Sequence, residues 1–571
     1  MCGIFALLND QENHIQRDDI KKEFSKGKNR GPEFSQLNST YLKMTLGFHR
    51  LAINGLNSES NQPLEIENIV LICNGEIYNY RQLFRNIGVE PFTGSDCEII
   101  IHLYLKYGIE QTLIMLDGEY SFILYDNRIT ADLNNNVYVA RDPYGVRPLY
   151  QVRPTNYKNS SLHGFASELK CIETFYNDDI SNLEVLQFTP GTYSSFRLSS
   201  KINSVWSPVR ENIPYIIPSF PHNNWQLNPN MFSCNMYHKI SSYLNAAVNK
   251  RCLATERPIA CLLSGGLDSS LVAALVNEFY NCHDLANTLE TYSIGLMGSE
   301  DLIYAKMVAD YLGTKHTEII VTEREMFEAI PDVIYAIESY DTTSVRASIG
   351  NYLLGKYISQ NSQAKVIFNG DGADELFGGY LYMNKCPDDI EFDKETRRLL
   401  KDIHAFDVLR SDKCISSHGL EPRTAFLDKS LVDFVLSIPP FFRNHANMKY
   451  CEKFILRNAF VSDNYRNNHD ESLLPEEILW RRKEAFSDGV SSQGRSLYQV
   501  LQDLILVELK NNNQYGITNI DSNIQTEKAY YKKIFESKFP NCANIVPYYW
   551  MPKYTNAIDP SARTLDFYSS P

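Results

Sequence analysis

Short apolar runs closed by turn residues dominate the first 195 positions. Val70-Leu71-Ile72-Cys73 runs into Asn74-Gly75, and Tyr120-Ser121-Phe122-Ile123-Leu124-Tyr125 into Asp126-Asn127. Asn136-Val137-Tyr138-Val139-Ala140 runs into Arg141-Asp142-Pro143. β-Favouring runs of this length, bounded by turn chemistry, predict strands. After Gly94-Ser95-Asp96, the apolar positions Ile99, Ile100, Leu103 and Leu105 follow a helical stripe. This part reads as α+β with much sheet.

Residues 196–232 break the pattern. Pro208, Pro214, Pro218, Pro221 and Pro229 fall among Asn, Ser and Trp, and proline at that density predicts a linker or an irregular crossover. From about 233 onward strand and helix patterns alternate. Ile259-Ala260-Cys261-Leu262-Leu263 reads as a buried strand, followed by a helical stripe of Leu271, Val272, Ala274, Leu275 and Phe279. Thr291–Leu296 and Lys365–Asn369 read as further strands. Such alternation predicts a parallel sheet with helices on both faces and a site at the strand carboxyl ends. The Asn-rich patches 134–136 and 511–513 read as surface loops.

Composition narrows the class. The 571 residues are 43% hydrophobic and 22% charged, enough for real cores and against a disordered chain. The net charge of −14, with no local Lys/Arg run, argues against a nucleic-acid protein. No run approaches the roughly 18 apolar residues of a membrane helix. Met1–Leu8 has no basic n-region and so does not read as a signal peptide. Twelve cysteines at wide spacing, without a CxxC pair, suit a reducing compartment and predict a cytoplasmic protein.

Three constellations carry chemistry. With Met1 removed, Cys2 holds a thiol and a free α-amine on one carbon framework, and the amine can take the thiol proton. Taken alone, Cys2 also fits a small buried hydrophobe. Its company favours acyl transfer. Asn74 and the Gly75 N–H can form an oxyanion hole, Arg50 can fork onto a carboxylate, and Glu76 and Asp96 can hold an ammonium. Each of these charges, taken singly, fits a solvated loop as well. Together they describe a pocket for a free amino acid with a side-chain amide.

The second constellation, Ser264-Gly265-Gly266-Leu267-Asp268-Ser269-Ser270, follows a strand and opens a helix. Free N–H groups at a glycine turn cradle phosphate, the serines donate, and Asp268 can hold Mg²⁺. The Gly-Lys-Ser/Thr ending of a Walker loop is missing. The third is Asn369-Gly370-Asp371-Gly372-Ala373-Asp374-Glu375, again at a strand end. Its three carboxylates repel one another. A solvated acidic loop, a metal, a cation or a proton-transfer task would each account for them, and Asp374 joins Asp268 as a candidate metal ligand.

In order and spacing, these strings resemble glutamine-hydrolysing asparagine synthetases over about residues 2–555. The resemblance rests on Met1-Cys2-Gly3-Ile4, Arg30-Gly31-Pro32, Asn74-Gly75-Glu76-Ile77-Tyr78-Asn79, Thr93-Gly94-Ser95-Asp96-Cys97-Glu98 and Arg141-Asp142-Pro143-Tyr144-Gly145. It continues through Leu263–Ser270, Tyr340-Asp341, Arg346-Ala347-Ser348, Phe377-Gly378-Gly379-Tyr380, Glu452-Lys453 and Lys483–Gly489.

The resemblance implies an α+β N-terminal-nucleophile (αββα) glutaminase domain at 2–195 and a linker at 196–232. An α/β parallel-sheet pyrophosphatase-loop synthetase domain would follow at 233–555, with a tail at 556–571. It implies that glutamine is hydrolysed at Cys2 and that ammonia crosses to β-aspartyl-AMP made from aspartate and MgATP. Asparagine, glutamate, AMP and pyrophosphate would leave. Glutamine contacts would fall on Arg50, Leu51, Ala52, Ile53, Asn54, Asn74, Gly75, Glu76 and Asp96. ATP contacts would fall on Leu263, Ser264, Gly265, Gly266, Asp268, Ser269, Ile294, Asn369 and Gly370.

Aspartate would meet Thr343 and Arg346. Cys2, Asn74, Gly75, Asp371 and Lys453 would be catalytic, with Mg²⁺ on Asp268 and Asp374. Asp371 stands where many relatives carry Glu, and Asn369 where Ser is frequent. The substrates would be glutamine, aspartate and ATP, with no nucleic acid or membrane partner; a homodimer is compatible with the chain but not specified by it. Two other readings stand beside this one: a β-lactam-synthetase-like adenylating ligase, and a non-catalytic homologue.

Overall fold

The computed structural model describes residues 1–128, 135–198, 204–216, 229–283, 288–446, 450–491, 494–512, 514–517 and 522–568. Period-two alternation builds its first part. In the strand Gly3–Leu8, Ile4, Ala6 and Leu8 face one apolar core, while Phe5 and Leu7 face another. Two six-stranded antiparallel sheets result. The first runs Leu183–Gln187, Tyr150–Pro154, His163–Ala166, Gly3–Leu8, Met44–Arg50, Phe34–Tyr41. The second runs Ser207–Pro214, Thr192–Leu198, Asn135–Arg141, Gly118–Asp126, Ile69–Ile77, Leu64–Ile66.

Ile4, Ala6, Leu46 and Phe48 of the first sheet share a core with Val70, Ile72 and Ile123 of the second. The outer face of the second sheet, through Leu71, Cys73 and Phe122, meets Ile99, Ile100 and Leu103 of the helix Ile99–Met115. The outer face of the first meets Ile20 and Phe24 of the helix Arg17–Ser25.

Two expectations change here. Asn74-Gly75 does not end its strand: Asn74 pairs with Ser121 and Gly75 with Tyr120, and the strand continues to Ile77. A Cβ on Gly75 would meet the Glu119 carbonyl oxygen at 2.2 Å, so the glycine serves close strand approach, not a turn. The proline-rich stretch also contains a strand, Ser207–Pro214, paired with Thr192–Leu198. It lies at the sheet edge, where Pro208 and Pro214 need not donate to a neighbour. Pro218, Pro221, Asn134 and Asn513 lie outside the described residues.

The second part carries a five-stranded parallel sheet in the order Lys315–Val321, Glu290–Leu296, Ile259–Leu262, Val366–Asn369, Glu421–Thr424. Ala260 and Leu262 enter one core while Ile259 and Cys261 enter another, so both faces are covered, as parallel sheets require. The chain winds outward from Ile259–Leu262 in one direction and then in the other. That switch opens a crevice at the carboxyl ends of Ile259–Leu262 and Val366–Asn369. Among the described residues no helix is long and apolar enough to cross a membrane.

Buried charges lock the two parts together. Arg147 meets Glu119 at 3.1 Å and Asp412 at 3.3 Å, and Arg251 meets Glu119 at 3.0 Å and Asp428 at 2.8 Å. Arg30 meets Glu168 at 2.7 Å and Asp412 at 2.8 Å. Stripping one partner from such a pair leaves an uncompensated buried charge, so the network fixes one relative placement of the two parts.

Candidate active sites

The N-terminal site forms where the strands Gly3–Leu8 and Ile69–Ile77 come together. Cys2 N–H donates to Asn74 Oδ1 at 3.2 Å, and the thiol points to the Leu51 carbonyl at 3.7 Å. Asn74 Nδ2 donates to Ser167 Oγ at 3.3 Å, and Arg30 Nε to the Cys2 carbonyl at 2.9 Å. Loss of solvent pushes the Cys2 thiol up to about 11, against the pull of the N-terminal ammonium. At neutral pH the thiol therefore needs a base to become a nucleophile. Met1 is buried, its ammonium 3.4 Å from Glu421.

Two carboxylates stand close by. Glu76 accepts from Asn54 Nδ2 at 2.6 Å, and Asp96 from the Ile77 N–H at 2.6 Å. Burial, then the neighbouring Asp96 and Glu421, hold Glu76 well above the usual carboxylate range, while Arg423 opposes this. Asp96 is raised to about 6, chiefly by burial. The Arg423 guanidinium crosses from the second part and stops 3.7 Å from Glu76. Arg50 is buried, and its guanidinium is occupied by loop acceptors: Asn57 O at 2.8 Å, Asn61 Oδ1 at 2.7 Å, Asn54 O at 3.2 Å, and Gly55 O. Leu51, Ala52 and Ile53 are buried beside it.

The second site is a pocket of about 190 Å³ at the switch point of the parallel sheet. Leu263, Ser264, Gly266, Asp268, Ser269, Ile294, Asn369, Gly370, Asp371, Thr343, Asp374 and Lys453 all line it. The helix Leu267–Cys282 begins at Gly266 with no side-chain cap, which leaves its first N–H groups open to an anion. Ser269 Oγ accepts from Ser264 N–H at 3.2 Å and shapes the turn. Gly265 has φ +71°, and a Cβ there would lie 2.4 Å from the Tyr304 carbonyl carbon, so it shapes the turn from behind and does not line the pocket.

Two carboxylates and two ammonium groups meet at the pocket floor. Lys453 Nζ reaches Asp374 Oδ1 at 2.6 Å and also pairs with Asp268. Lys483 Nζ reaches Asp374 Oδ2 at 2.6 Å and Asp268 Oδ2 at 3.9 Å. The two lysines outweigh burial and hold Asp374 far below its usual range. Asp371 sits apart, 3.1 Å from Arg410 Nη2, which also pairs with Asp407. Burial is the main cause that raises Asp371 to about 6; Arg410 pulls the other way. Asn369 Nδ2 donates to Ser411 Oγ at 2.5 Å.

Arg346 does not line the pocket. Its guanidinium is buried between Glu527, at 2.8 and 2.6 Å, and Asp559, at 2.7 and 2.8 Å. Thr343, three residues earlier on the helix Thr342–Asn361, does face the pocket. Arg410, Arg481 and Lys483 line it without having been singled out for a role. Lys483 lies in a matching string that signalled it, whereas Arg481 and Arg410 carry no sequence mark apart from charge.

Comparison with known proteins agrees with this geometry. A model described as a glutamine amidotransferase domain matches residues 1–212, and one described as asparagine synthase matches 239–390 and 384–547. The chain is 38% identical to the glutamine-hydrolysing asparagine synthetase of Homo sapiens, 37% to that of Bos taurus and 38% to that of Cricetulus griseus. Each alignment covers 100% of this chain and 99% of its relative. Cys2 beside Asn74-Gly75, a glycine-serine turn opening a helix in a second unit and full-length similarity converge: the chain belongs to the glutamine-hydrolysing asparagine synthetase family.

Proposed function

We propose that this chain makes asparagine from aspartate with nitrogen taken from glutamine. The observation that carries the reading is the pair of sites in one chain, a cysteine beside Asn74-Gly75 and a phosphate turn beside Asp371. With Met1 removed, the α-amine that lies near Glu421 is replaced by one on Cys2 itself, next to the thiol it must deprotonate. Cys2 then attacks the glutamine amide. Asn74 Nδ2 and the Gly75 N–H donate to the developing oxyanion, and the acyl-enzyme is hydrolysed to glutamate. Glu76 and Asp96 suit the substrate ammonium, and Arg50 with the Leu51–Asn54 loop suits the rest of the amino acid.

In the second pocket the aspartate side-chain carboxylate attacks the α-phosphorus of ATP, giving β-aspartyl-AMP and pyrophosphate. Ammonia then attacks the acyl carbon, AMP leaves, and asparagine forms. Leu263, Ile294, Asn369 and Gly370 suit the nucleotide, the Ser264–Ser269 turn the phosphates, and Thr343 the aspartate. Asp371 is ionised above pH 6 and can accept the proton that the attacking ammonia gives up. Lys453 offers its charge to the departing pyrophosphate. Mg²⁺ fits the donor set: Asp268 Oδ1 is buried without a partner among the described residues, and two carboxylates with substrate phosphates are its usual ligands. Asp268 and Asp374 would hold it, and when bound it supplies charge neutralisation on the phosphates.

We read the first unit as an N-terminal-nucleophile fold at about 2–195, and the second as a pyrophosphatase-loop domain at about 233–555. The boundary falls in 196–232, with Ser207–Pro214 belonging to the first unit. Residues 556–568 are docked, since Asp559 pairs with Arg346 and Arg563 with Glu484. A cytoplasmic homodimer suits a chain of this composition.

Incubation with amide-¹⁵N glutamine, aspartate and MgATP tests the whole reading. Label should appear in the asparagine side chain, with glutamate, AMP and pyrophosphate formed one to one. ADP and phosphate in their place refute it. Pyrophosphate release driven by another acid, with aspartate inert, favours a ring-closing ligase instead.

A further inference from the structure

We propose that Asp412, a residue of the second unit, is a positioning residue for Cys2 and acts through Arg30. The inference rests on the reading of Cys2 as the glutaminase nucleophile and adds what aims it.

With Met1 removed, Cys2 is tethered to the chain on one side only, so contacts to its own backbone decide where the thiol points. Two are in place: its nitrogen donates to Asn74 Oδ1 at 3.2 Å, and its carbonyl accepts from Arg30 Nε at 2.9 Å. Arg30 is 2% exposed, and its Nη1 donates to Glu168 Oε1 at 2.7 Å, Asp412 Oδ1 at 2.8 Å and Ser416 Oγ at 2.9 Å. A guanidinium is planar and rigid, so the partners of Nη1 decide where Nε points. Burial works against the charge on Arg30; Asp412, then Glu168, outweigh it. Two of the three partners of Nη1, and the first of its counter-charges, therefore come from the second unit.

Asp412 is itself firmly held. It is buried, its Oδ2 accepts from Arg147 Nη1 at 3.3 Å, and it lies within the helix Asp407–Ser416. The residues just before it on that helix serve the other pocket: Arg410 reaches Asp371 at 3.1 Å, and Ser411 Oγ accepts from Asn369 Nδ2 at 2.5 Å. One helix thus mounts both centres, Asp371 through Arg410 and Cys2 through Asp412 and Arg30. Without the Asp412 carboxylate the guanidinium turns toward Glu168, Nε leaves the Cys2 carbonyl, and the thiol loses its aim. An error of 1 Å at a reacting atom can cost about 10²-fold in rate. Glutamine still binds, because Arg50, Glu76 and Asp96 are untouched.

The test is steady-state glutamine hydrolysis by full-length Asp412→Ala, with asparagine synthesis from ammonium measured on the same preparation. The kcat for hydrolysis should fall at least tenfold, while KM for glutamine and the rate from ammonium both stay within threefold of wild type. Unchanged kcat, a rise in KM alone, or equal losses in both activities overturns the proposal; equal losses are what a merely structural residue would give. If Asp412→Ala does not fold, Ser416→Ala decides. It removes another partner of Nη1 without stripping a charge, and should lower kcat for hydrolysis at least threefold with KM and the ammonium rate unchanged. Wild-type protein that does not hydrolyse glutamine would sink the reading of Cys2 itself, and this inference with it, before any variant is compared.

Discussion

A Cβ placed on Gly379 would lie 1.9 Å from Cε of Lys453, and 2.2 Å from Asp374 Oδ1. Gly379 is therefore the space into which the Lys453 side chain folds to reach two carboxylates. Lys453 is itself held hard: it is 2% exposed, adopts φ +58°, and stands at the start of the helix Phe454–Ala459. Gly379→Ala must push the lysine off Asp374. The expected result is a loss of at least tenfold in aspartate-dependent pyrophosphate release, with glutamine hydrolysis retained. Overpacking of this kind costs about 1–3 kcal/mol of stability. Wild-type pyrophosphate release from the variant would show that Lys453 is not needed where it lies.

Cys2→Ala separates the two sites. The thiol is the nucleophile of the first reaction and touches nothing in the second pocket. Glutamine-dependent synthesis should vanish, while synthesis from ammonium chloride stays within about threefold of wild type, a shift of under 1 kcal/mol in barrier. Loss of both activities, measured by asparagine formation, would contradict separate sites.

Asp371 predicts a pH dependence. Its folded value of about 6 lies above the ordinary 3.8, so the folded state holds its proton more tightly than the unfolded chain does. The stabilising contribution is complete below pH 4 and is lost as pH rises through 6. Removing the carboxyl in Asp371→Asn should therefore favour the variant's melting temperature, relative to wild type, more at pH 7.5 than at pH 4.5. A difference that runs the other way across those two pH values would mean that Arg410 controls the group. In activity, the wild-type synthetase rate should fall as pH drops below about 6, and this limb should be absent from the residual rate of the variant.

The parts of this molecule that follow local rules could be read directly. The Ser264–Ser270 turn is a glycine-rich link between a strand and a helix, and period and composition expose it. The apolar run Tyr120–Tyr125, closed by Asp126-Asn127, reads as a strand, and the structure has it as Gly118–Asp126. Asn74-Gly75 misled because the pair that marks a hairpin also permits two strands to approach closely, and only the Glu119 carbonyl opposite tells the two apart. Ser207–Pro214 was hidden because prolines that exclude a central strand are tolerated at an edge. Arg410 and Arg423 were hidden for another reason: each acts on a group far away in the chain, Asp371 or Glu76, and no local pattern records such a pairing.

Arg346 gives the sharpest contrast between resemblance and geometry. The resemblance implies aspartate beside it, and the structure surrounds it with four contacts from Glu527 and Asp559, with Gln502 Nε2 adding 3.0 Å to Glu527 and 3.2 Å to Asp559. These partners lie in the helix Asn523–Lys538 and the C-terminal segment, so the arginine ties three distant stretches together. Truncation would strand two carboxylates in the interior, at a cost of about 3–5 kcal/mol. Arg346→Ala should therefore unfold well below wild type in a thermal melt. Arg346→Lys should recover little, because one ammonium cannot replace two forked contacts. A variant that melts with wild type but needs far more aspartate for half-maximal pyrophosphate release would instead move Arg346 to the substrate.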